Sequence, residues 1–335
     1  MYLSAWFEGL TPEMVKKAEI ELGETPEVRR KAVAELTKLL KEPVFYSPLF
    51  SQSRKRSRYN KFGRKTCLIR EPYLEPRLEE KFLVRYLRAK KYNVDKAHKT
   101  LLYYYYFKSK FANIFTHFKP SQLKHVLEMN CINLLPLREK DGASIGLLRM
   151  GEFDPSKATP EEFIAASLLC AEIGTDSEAT LVCGSVAILD LKGVTFKKML
   201  HFSSVRLLSL FAASFQDCIA CRVKGLHVVN EPYYFSTIIK IIKPFLHKKI
   251  RDRVHHHGSN LKSLHQHIPP EILPEYLGGH LRHNNDDYIS KILSKESYFE
   301  EINKYGYPPL NQEVIEKDKF ISLATNSQLQ TAVIS

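Results

Sequence analysis

The chain has 335 residues, a formal net charge of +13 and 44% hydrophobic residues. This length accommodates one large domain and a smaller one, and the apolar share supports a sizeable core, which excludes general disorder. The clean apolar runs, such as 164–171, are far shorter than the roughly 20 residues of a membrane-spanning helix. The N-terminus lacks the features of a signal peptide. A soluble, cytoplasmic protein is therefore expected.

Charge is concentrated in one segment. Residues 41–70 contain nine Lys or Arg and one acid, Glu42, so this stretch carries +8 of the net charge. With its prolines and the RKRSR run, the region 43–72 is predicted to be a flexible basic insert. Such a run favours an acidic partner, either nucleic acid or an anionic membrane, although many basic runs are simply solvated.

The first 110 residues are predicted to form a small helical domain. Residues 11–40 have helical spacing, with Thr11 as the N-cap, and a second start is indicated at Thr25. Two further helices are expected at 79–90 and 93–110, the second with Asn93 as its N-cap.

From about residue 130, strands and helices alternate. Thr159 and the acids that follow it predict a well-capped helix. Alternation at this spacing predicts an α/β fold with a mainly parallel sheet, and the polar end, 284–335, is expected to run over the surface as a tail. The predicted strands are 132–137, 144–150, 184–191 (buried on both faces) and 223–229, and the predicted helices after residue 160 are 163–173, 196–217 and 233–253.

Catalytic motifs are not found. The sequence contains no nucleophile elbow, Walker loop, GxGxxG after a strand or HExxH. A histidine cluster, His255 to His257 with His265 and His267, raises the possibility of zinc. Adjacent histidines on a strand point to opposite faces, and no Cys or acid completes a familiar tetrahedral set, so no metal site is predicted. The chain is predicted not to be an enzyme and to have no cofactor.

The segment 233–246 is the most informative. Phe235, Ile238, Ile239 and Ile242 occupy one face of a helix, which is compatible with buried core or with a lid over an apolar cavity. Six cations lie between residues 240 and 253, and Pro244 interrupts the helix. This combination favours a lid at an anionic lipid surface.

The segment 227–279 resembles the CRAL-TRIO lipid-binding family, and within it the branch of tocopherol- and retinaldehyde-binding proteins. The pieces KFLVRYLRAKKYNVDKA (81–97), FDPSKATPEEF (153–163) and ILDLKGVTF (188–196) match in the family's order. The resemblance implies a helical domain over 1–110, a five-stranded α/β lipid-binding domain over 120–283 with a mobile lid helix, and a tail over 284–335. The insert at 43–72 departs from the family pattern.

The resemblance also implies site residues. A lysine that the family often has before the strand at 223 is absent from Leu207–Ser209, so one cation of the basic patch is missing or moved. The implied phosphoinositide-binding residues are Arg88, Lys90, Lys243, Lys249 and Arg253. The implied lipid-pocket residues are Phe163, Ser167, Ile188, Asp190, Phe202, Leu207, Leu210, Phe211, Val229, Phe235, Ile239 and Ile242.

Together these observations predict a monomeric carrier that binds one small hydrophobic lipid, of the tocopherol or retinoid kind. It would exchange that lipid at phosphoinositide-containing membranes, associating with them transiently, for example on endosomes. The main alternative is a phosphoinositide-binding trafficking adaptor without a dedicated cargo. A nucleic-acid binder that uses the basic insert, and an enzyme, are the weaker alternatives.

Overall fold

The computed structural model describes residues 2–41, 74–115, 118–282 and 284–307. The predicted insert at 43–72 lies outside the described residues. The strands are β1 Ile132–Leu134, β2 Ser144–Arg149, β3 Ser185–Asp190, β4 Val223–Val229 and β5 Val254–His256. The α-helices are α1 Pro12–Leu22, α2 Pro26–Lys41, α3 Glu80–Ala89, α4 Val94–Lys110, α5 Ala112–Phe115, α6 Lys124–Leu127, α7 Pro160–Gly174, α8 Glu178–Cys183, α9 Phe196–Phe202, α10 Val205–Ala213, α11 Phe235–Ile242, α12 Lys248–Arg251, α13 Leu261–His265, α14 Asp286–Leu293 and α15 Glu296–Ile302.

The helix starts predicted from capping residues are confirmed. Thr11 Oγ1 accepts a hydrogen bond from the Met14 N–H at 3.3 Å, and α1 ends at Leu22 with Gly23 as its C-cap, whose φ of 72° is left-handed. This break separates α2 from α1, as the second predicted start requires. At α7, Thr159 and Glu162 form a reciprocal capping box, with the Thr159 N–H 2.7 Å from Glu162 Oε2.

The predicted mainly parallel sheet is confirmed. Its strand order is β1-β2-β3-β4-β5; β1 is antiparallel to β2, and the remaining pairs are parallel. From β2 onward, each crossover therefore connects a strand to its immediate neighbour, always toward the β5 edge of the sheet. Because such crossovers are almost always right-handed, their helices collect on one face of the sheet. That face carries α7 to α11 and becomes the site described below.

The opposite face of the sheet is closed by the segment around α13. Ile145 and Leu147 of β2 join Val186 and Ile188 of β3 in a core with Leu264, and all five are almost fully buried. On β3, burial alternates: Val186, Ile188 and Asp190 are buried, whereas Ser185, Ala187 and Leu189 are half-buried. The prediction that this strand is buried on both faces was therefore wrong, because its crossover-helix side keeps accessible surface.

The part of the C-terminal segment that the structure describes is folded. Helices α14 and α15 bury Tyr288, Ile292, Phe299 and Ile302 in the same core as the N-terminal helices. The buried Lys108 of α4 donates to the Ile302 carbonyl at 3.2 Å. The expectation of a surface tail is thus wrong for residues 286–302, since four widely spaced apolar side chains are enough to anchor two short amphipathic helices.

Candidate functional site

Apolar side chains that point from the sheet toward the crossover helices form the first part of the candidate site. Gly146 of β2 lies beside Ala187 of β3, and Leu148 lies beside Leu189, so these positions share one face. All four residues are only half-buried, although helices pack over this face. Apolar surface that stays accessible between packed elements is characteristic of a ligand pocket.

The facing helices present the same kind of surface. The half-buried residues of α9 and α10 pack in one core with Leu148, and those of α11 pack with Leu189, where Phe235 anchors α11 as a buried residue. Six members of the predicted pocket thus lie on helices opposite the sheet, three packed in the cluster of Leu148 and three in the cluster of Leu189. They are Phe202, Leu207, Phe211, Phe235, Ile239 and Ile242.

Three further predicted residues lie deeper, behind this surface. Phe163, Ser167 and Leu210 are each less than 5% exposed. The Phe163 ring packs edge-on against Phe202, with the ring centroids 5.6 Å apart. The Ser167 hydroxyl donates to the Phe163 carbonyl at 2.8 Å, within its own helix. These residues therefore support the pocket wall formed by Phe202.

The remaining three predicted pocket residues lie on the opposite face of the sheet from the crossover helices, which corrects that part of the prediction. Ile188 and Val229 belong to the core on the other side of the sheet. Asp190 Oδ1 accepts from the Asn230 side chain at 2.8 Å and from the Lys192 N–H at 3.0 Å. Because successive strand residues alternate between faces, an error of one position moves a residue to the opposite side.

The candidate lid is α11 with the turn that follows it. Helix α11 buries Phe235 and Ile238 and exposes Ser236 and Lys240. It ends at Ile242 and tightens into a 3-10 turn, Lys243–Phe245, that contains Pro244, so the predicted interruption is confirmed. The exposed Lys243 begins that turn.

Large apolar side chains are exposed beside the lid. Phe196 and Leu200 of α9 are 56% and 53% exposed, and Tyr233, just before α11, is 92% exposed. The Phe196 ring contacts Tyr234 with centroids 5.6 Å apart, and the Tyr234 hydroxyl donates to the Val194 carbonyl at 2.6 Å. Exposed apolar groups clustered at the edge of a pocket indicate an interaction surface.

A cluster of cations lies at the far end of the lid. Burial, together with the positive charges of Arg253, Arg222, Lys90 and Lys91, lowers the pKa of Lys249. These five residues come from the loop after α3, the start of β4, α12 and the start of β5. Cations whose charges act on one another in this way make a candidate site for a multivalent anion. We refer to these five residues as the cation cluster.

The cation cluster contains three of the five predicted phosphoinositide-binding residues, Lys90, Lys249 and Arg253. Arg88, in contrast, is 1% exposed and is held by Glu24 and Glu178. A guanidinium that is buried and has each of its three nitrogens bonded to a carboxylate does not face a headgroup, so we remove Arg88 from the candidate site. The reason is geometric, because Arg88 lies on the inward face of α3 whereas Lys90 follows the end of the helix.

Arg222 is the residue that sequence reasoning missed. The resemblance implies a lysine near residues 207–209, whereas the structure has a cation at the residue directly before β4, near Lys249. Arg222 also pairs with Glu21 of α1, with 2.5 Å between Nη2 and Oε2. The sequence feature that could have indicated Arg222 is the pair of cations in Arg222-Val223-Lys224 at the start of a buried strand.

Four histidines gather on the other side of the sheet. The ring of His227 is stacked on those of His255 and His257, with interplanar angles of 14° and 10°, and His267 contacts all three. His227 Nδ1 and His257 Nε2 lie 3.0 Å apart and form a hydrogen bond, so these two ring nitrogens bond each other. Within the described part of the chain, no group of three or more His, Cys, Asp or Glu residues has the geometry to hold a metal ion.

Comparison with known proteins agrees with this arrangement. The CRAL/TRIO domain profile matches residues 128–279, and the profile of the CRAL/TRIO N-terminal domain matches residues 32–102. The chain belongs to the CRAL/TRIO family, whose members are lipid-binding and transfer proteins rather than enzymes. No described helix is both long and apolar enough to cross a bilayer.

Two relatives illustrate where the chain lies within the family. It is 35% identical to the mouse alpha-tocopherol transfer protein-like protein over 270 residues, which are 81% of this chain and 71% of the relative. It is 28% identical to mouse clavesin-2 over 327 residues, 97% of this chain and 91% of the relative. A solved structure titled Crystal structure of Sfh5 aligns over 93% of this chain and 100% of its own, with a TM-score of 0.42 and 13% identity, a likeness that adds nothing to these matches.

Proposed function

We propose that this protein is a cytoplasmic, monomeric carrier that binds one small neutral lipid beneath α11 and exchanges it at phosphoinositide-containing membranes such as endosomes. The observation that supports this most strongly is the adjacency of two unlike surfaces. A half-buried apolar face underlies α11, and Lys249 of the cation cluster follows the end of that helix by seven residues. A lipid pocket and an anion site are therefore linked through one short segment.

The apolar lining favours a neutral cargo over a charged one. The described residues that line the proposed cavity on the sheet and on α9 to α11 are aliphatic or aromatic, and the Ser167 hydroxyl is already bonded. An ionised headgroup transferred into such a site would be left without partners. A ligand that buries about 400–500 Å² of apolar surface would gain roughly 10–12 kcal/mol before ordering costs. Tocopherols and retinoids fit this description.

Membrane docking would use both exposed surfaces. The cation cluster would hold the phosphorylated headgroup, at about 1 kcal/mol per cation near the surface. Phe196, Leu200 and Tyr233 would enter the headgroup region. In that position the apolar face of α11 would stay buried in lipid when it leaves the pocket, which lowers the barrier to cargo release.

The test is to purify the full chain without added lipid and to measure its mass under native conditions, followed by extraction and identification of the bound molecule. One stoichiometric neutral lipid is the expected result. An empty protein that still floats with phosphatidylinositol bisphosphate vesicles would instead support the adaptor function, because the cation cluster requires no cargo. An empty protein that ignores such vesicles would contradict both.

A further inference from the structure

The peptide segment that joins α11 to α12 is clasped by one side chain from outside the lid. The carboxamide of Gln216 donates from Nε2 to the Phe245 carbonyl at 3.0 Å and accepts at Oε1 from the His247 N–H at 2.5 Å. Leu246, between the two bonded residues, is extended, with φ −83° and ψ 133°. A break of this kind between two helical turns is where a moving lid would absorb its change in backbone angles.

Gln216 is held in position by a π-helix. Residues Ser214–Cys218 follow α10 as a single π turn. Gln216 Nε2 also donates to the Ala212 carbonyl at 3.0 Å, and the Ser214 hydroxyl donates to the Phe211 carbonyl at 2.8 Å. Both bonds satisfy carbonyls at the transition from α-helix to π-helix, and the bond to Ala212 anchors the Gln216 side chain on its own helical segment. Such π turns often occur at functional positions.

A second side chain reaches the same segment from the other direction. Arg251 of α12 donates from Nη1 to the Leu246 carbonyl at 3.1 Å. Arg251 lies two residues after Lys249 and two before Arg253, both members of the cation cluster. A displacement of α12 by a bound anion would therefore act on the same three residues that Gln216 clasps.

We propose that Gln216 is the positioning residue that latches the lid closed, by bonding the peptide groups on both sides of Leu246. This inference rests on the proposed function, which gives α11 its role as a lid. The contacts of Gln216 do not depend on a bound cargo. Opening requires both Gln216 bonds to Phe245 and His247 to break together. The carboxamide suits this task because its NH2 group can donate to the Ala212 and Phe245 carbonyls while its oxygen accepts from the His247 N–H, all in a fixed geometry.

The experiment compares amide hydrogen exchange of the full-length wild type with the Gln216→Leu variant, which keeps the side chain's size but removes both bonds. We expect about 30-fold faster exchange over residues 235–247, since two bonds are lost and each contributes about 1 kcal/mol. Exchange in β4 should remain as in the wild type. Gln216→Glu, which keeps an acceptor but loses the donor, should show an intermediate increase.

The matched control is Gln266→Leu, the same substitution at an exposed position after α13, which should leave residues 235–247 unchanged. Wild-type protection of this segment in a folded Gln216→Leu variant would overturn the latch. If Gln216→Leu loses protection throughout the protein, the Gln216→Glu variant decides instead. Wild-type protection of residues 235–247 in Gln216→Glu would likewise overturn the latch.

A second arm of the experiment adds vesicles of phosphatidylcholine with phosphatidylinositol bisphosphate to the wild type. If the vesicles do not accelerate exchange over residues 235–247, the proposal that membranes open the lid is contradicted. The comparison of variants still tests the separate proposal that Gln216 latches the lid.

Discussion

Arg88 and Glu24 form a bidentate ion pair inside the protein, with two nitrogen–oxygen distances of 2.8 Å. The pair joins the end of α3 to the loop between α1 and α2, and Glu178 of α8 approaches the same guanidinium at 3.0 Å. The N-terminal helices are therefore connected to the α/β part through buried charge as well as through a shared apolar core.

Arg88→Ala should destabilise the fold by about 3–5 kcal/mol, because it leaves the nearly buried Glu24 with only the longer ion-pair contact to Arg29 at 3.8 Å. Denaturant unfolding measures this change. Arg30→Ala, an exposed arginine on α2, is the control and should change stability by less than about 0.5 kcal/mol. A stable Arg88→Ala variant with weakened vesicle binding would instead return Arg88 to the anion site.

Lys249→Ala with Arg253→Ala should weaken binding to phosphatidylinositol bisphosphate vesicles by about 30-fold, since each cation contributes about 1 kcal/mol. The difference should shrink as salt is raised. Vesicle flotation measures the binding, and cargo retention without vesicles should be unchanged. The control pair is Lys262→Ala with Arg282→Ala, one exposed lysine and one exposed arginine outside the cation cluster. An equal loss in both double variants would mean that net charge, not this cluster, governs binding.

Ala187→Leu and Ile188→Val test which face of β3 carries the cargo. Ala187 points toward the lid and is half-buried, so a larger side chain there should reduce cargo retention with little effect on stability. Ile188 lies in the opposite core, where Ile188→Val should cost about 0.5–1.5 kcal/mol and leave retention unchanged. Native mass measurement and denaturant unfolding of both variants distinguish the faces. The reverse pattern would place the cavity behind the sheet.

The histidine cluster should make the protein sensitive to acid. Burial, followed by the neighbouring His255, His257 and His267, lowers the pKa of His227 from 6.5 to about 3. The pKa values of His255 and His257 are also lowered, mainly by burial and then by His267. The acid that opposes this effect at His257 is Glu231, which is bonded to His256 and to the Gly258 N–H.

A lowered histidine pKa in the folded state means that the unfolded chain binds protons first. Stability should therefore be complete above pH 6.5 and should fall as the pH decreases from there toward the folded-state pKa values. His227 contributes roughly 1–2 kcal/mol of this loss by pH 5. His227→Gln should flatten the dependence of the unfolding midpoint on pH, and His280→Gln, at an exposed position, should not. An unchanged slope in His227→Gln would show that other groups dominate acid sensitivity.

Local features of the fold could be predicted because their signals are local. Thr11, Asn93 and Thr159 start helices through bonds to residues three positions away, and the predicted caps are confirmed at all three. The alternation of apolar strands with helices was sufficient for a mainly parallel sheet. The motif pieces between 81 and 279 were sufficient for the family, because they are specific in both residue type and order.

Which face of the sheet carries the candidate site could be determined only from the tertiary structure. An apolar strand such as β3 has no polar alternation in its sequence, so Ile188 and Ala187 could not be assigned to faces before the register of the sheet was known. Arg88 and Lys90 are both cations at the end of one helix, yet the helical turn buries the first against Glu24 and leaves the second beside Lys249. Arg222 belongs to the same cluster, although it lies more than 130 positions after Lys90 in the sequence. Sequence patterns thus established the elements and the family, whereas long-range packing determined which charges and which apolar faces meet, because those contacts join residues that no local pattern relates.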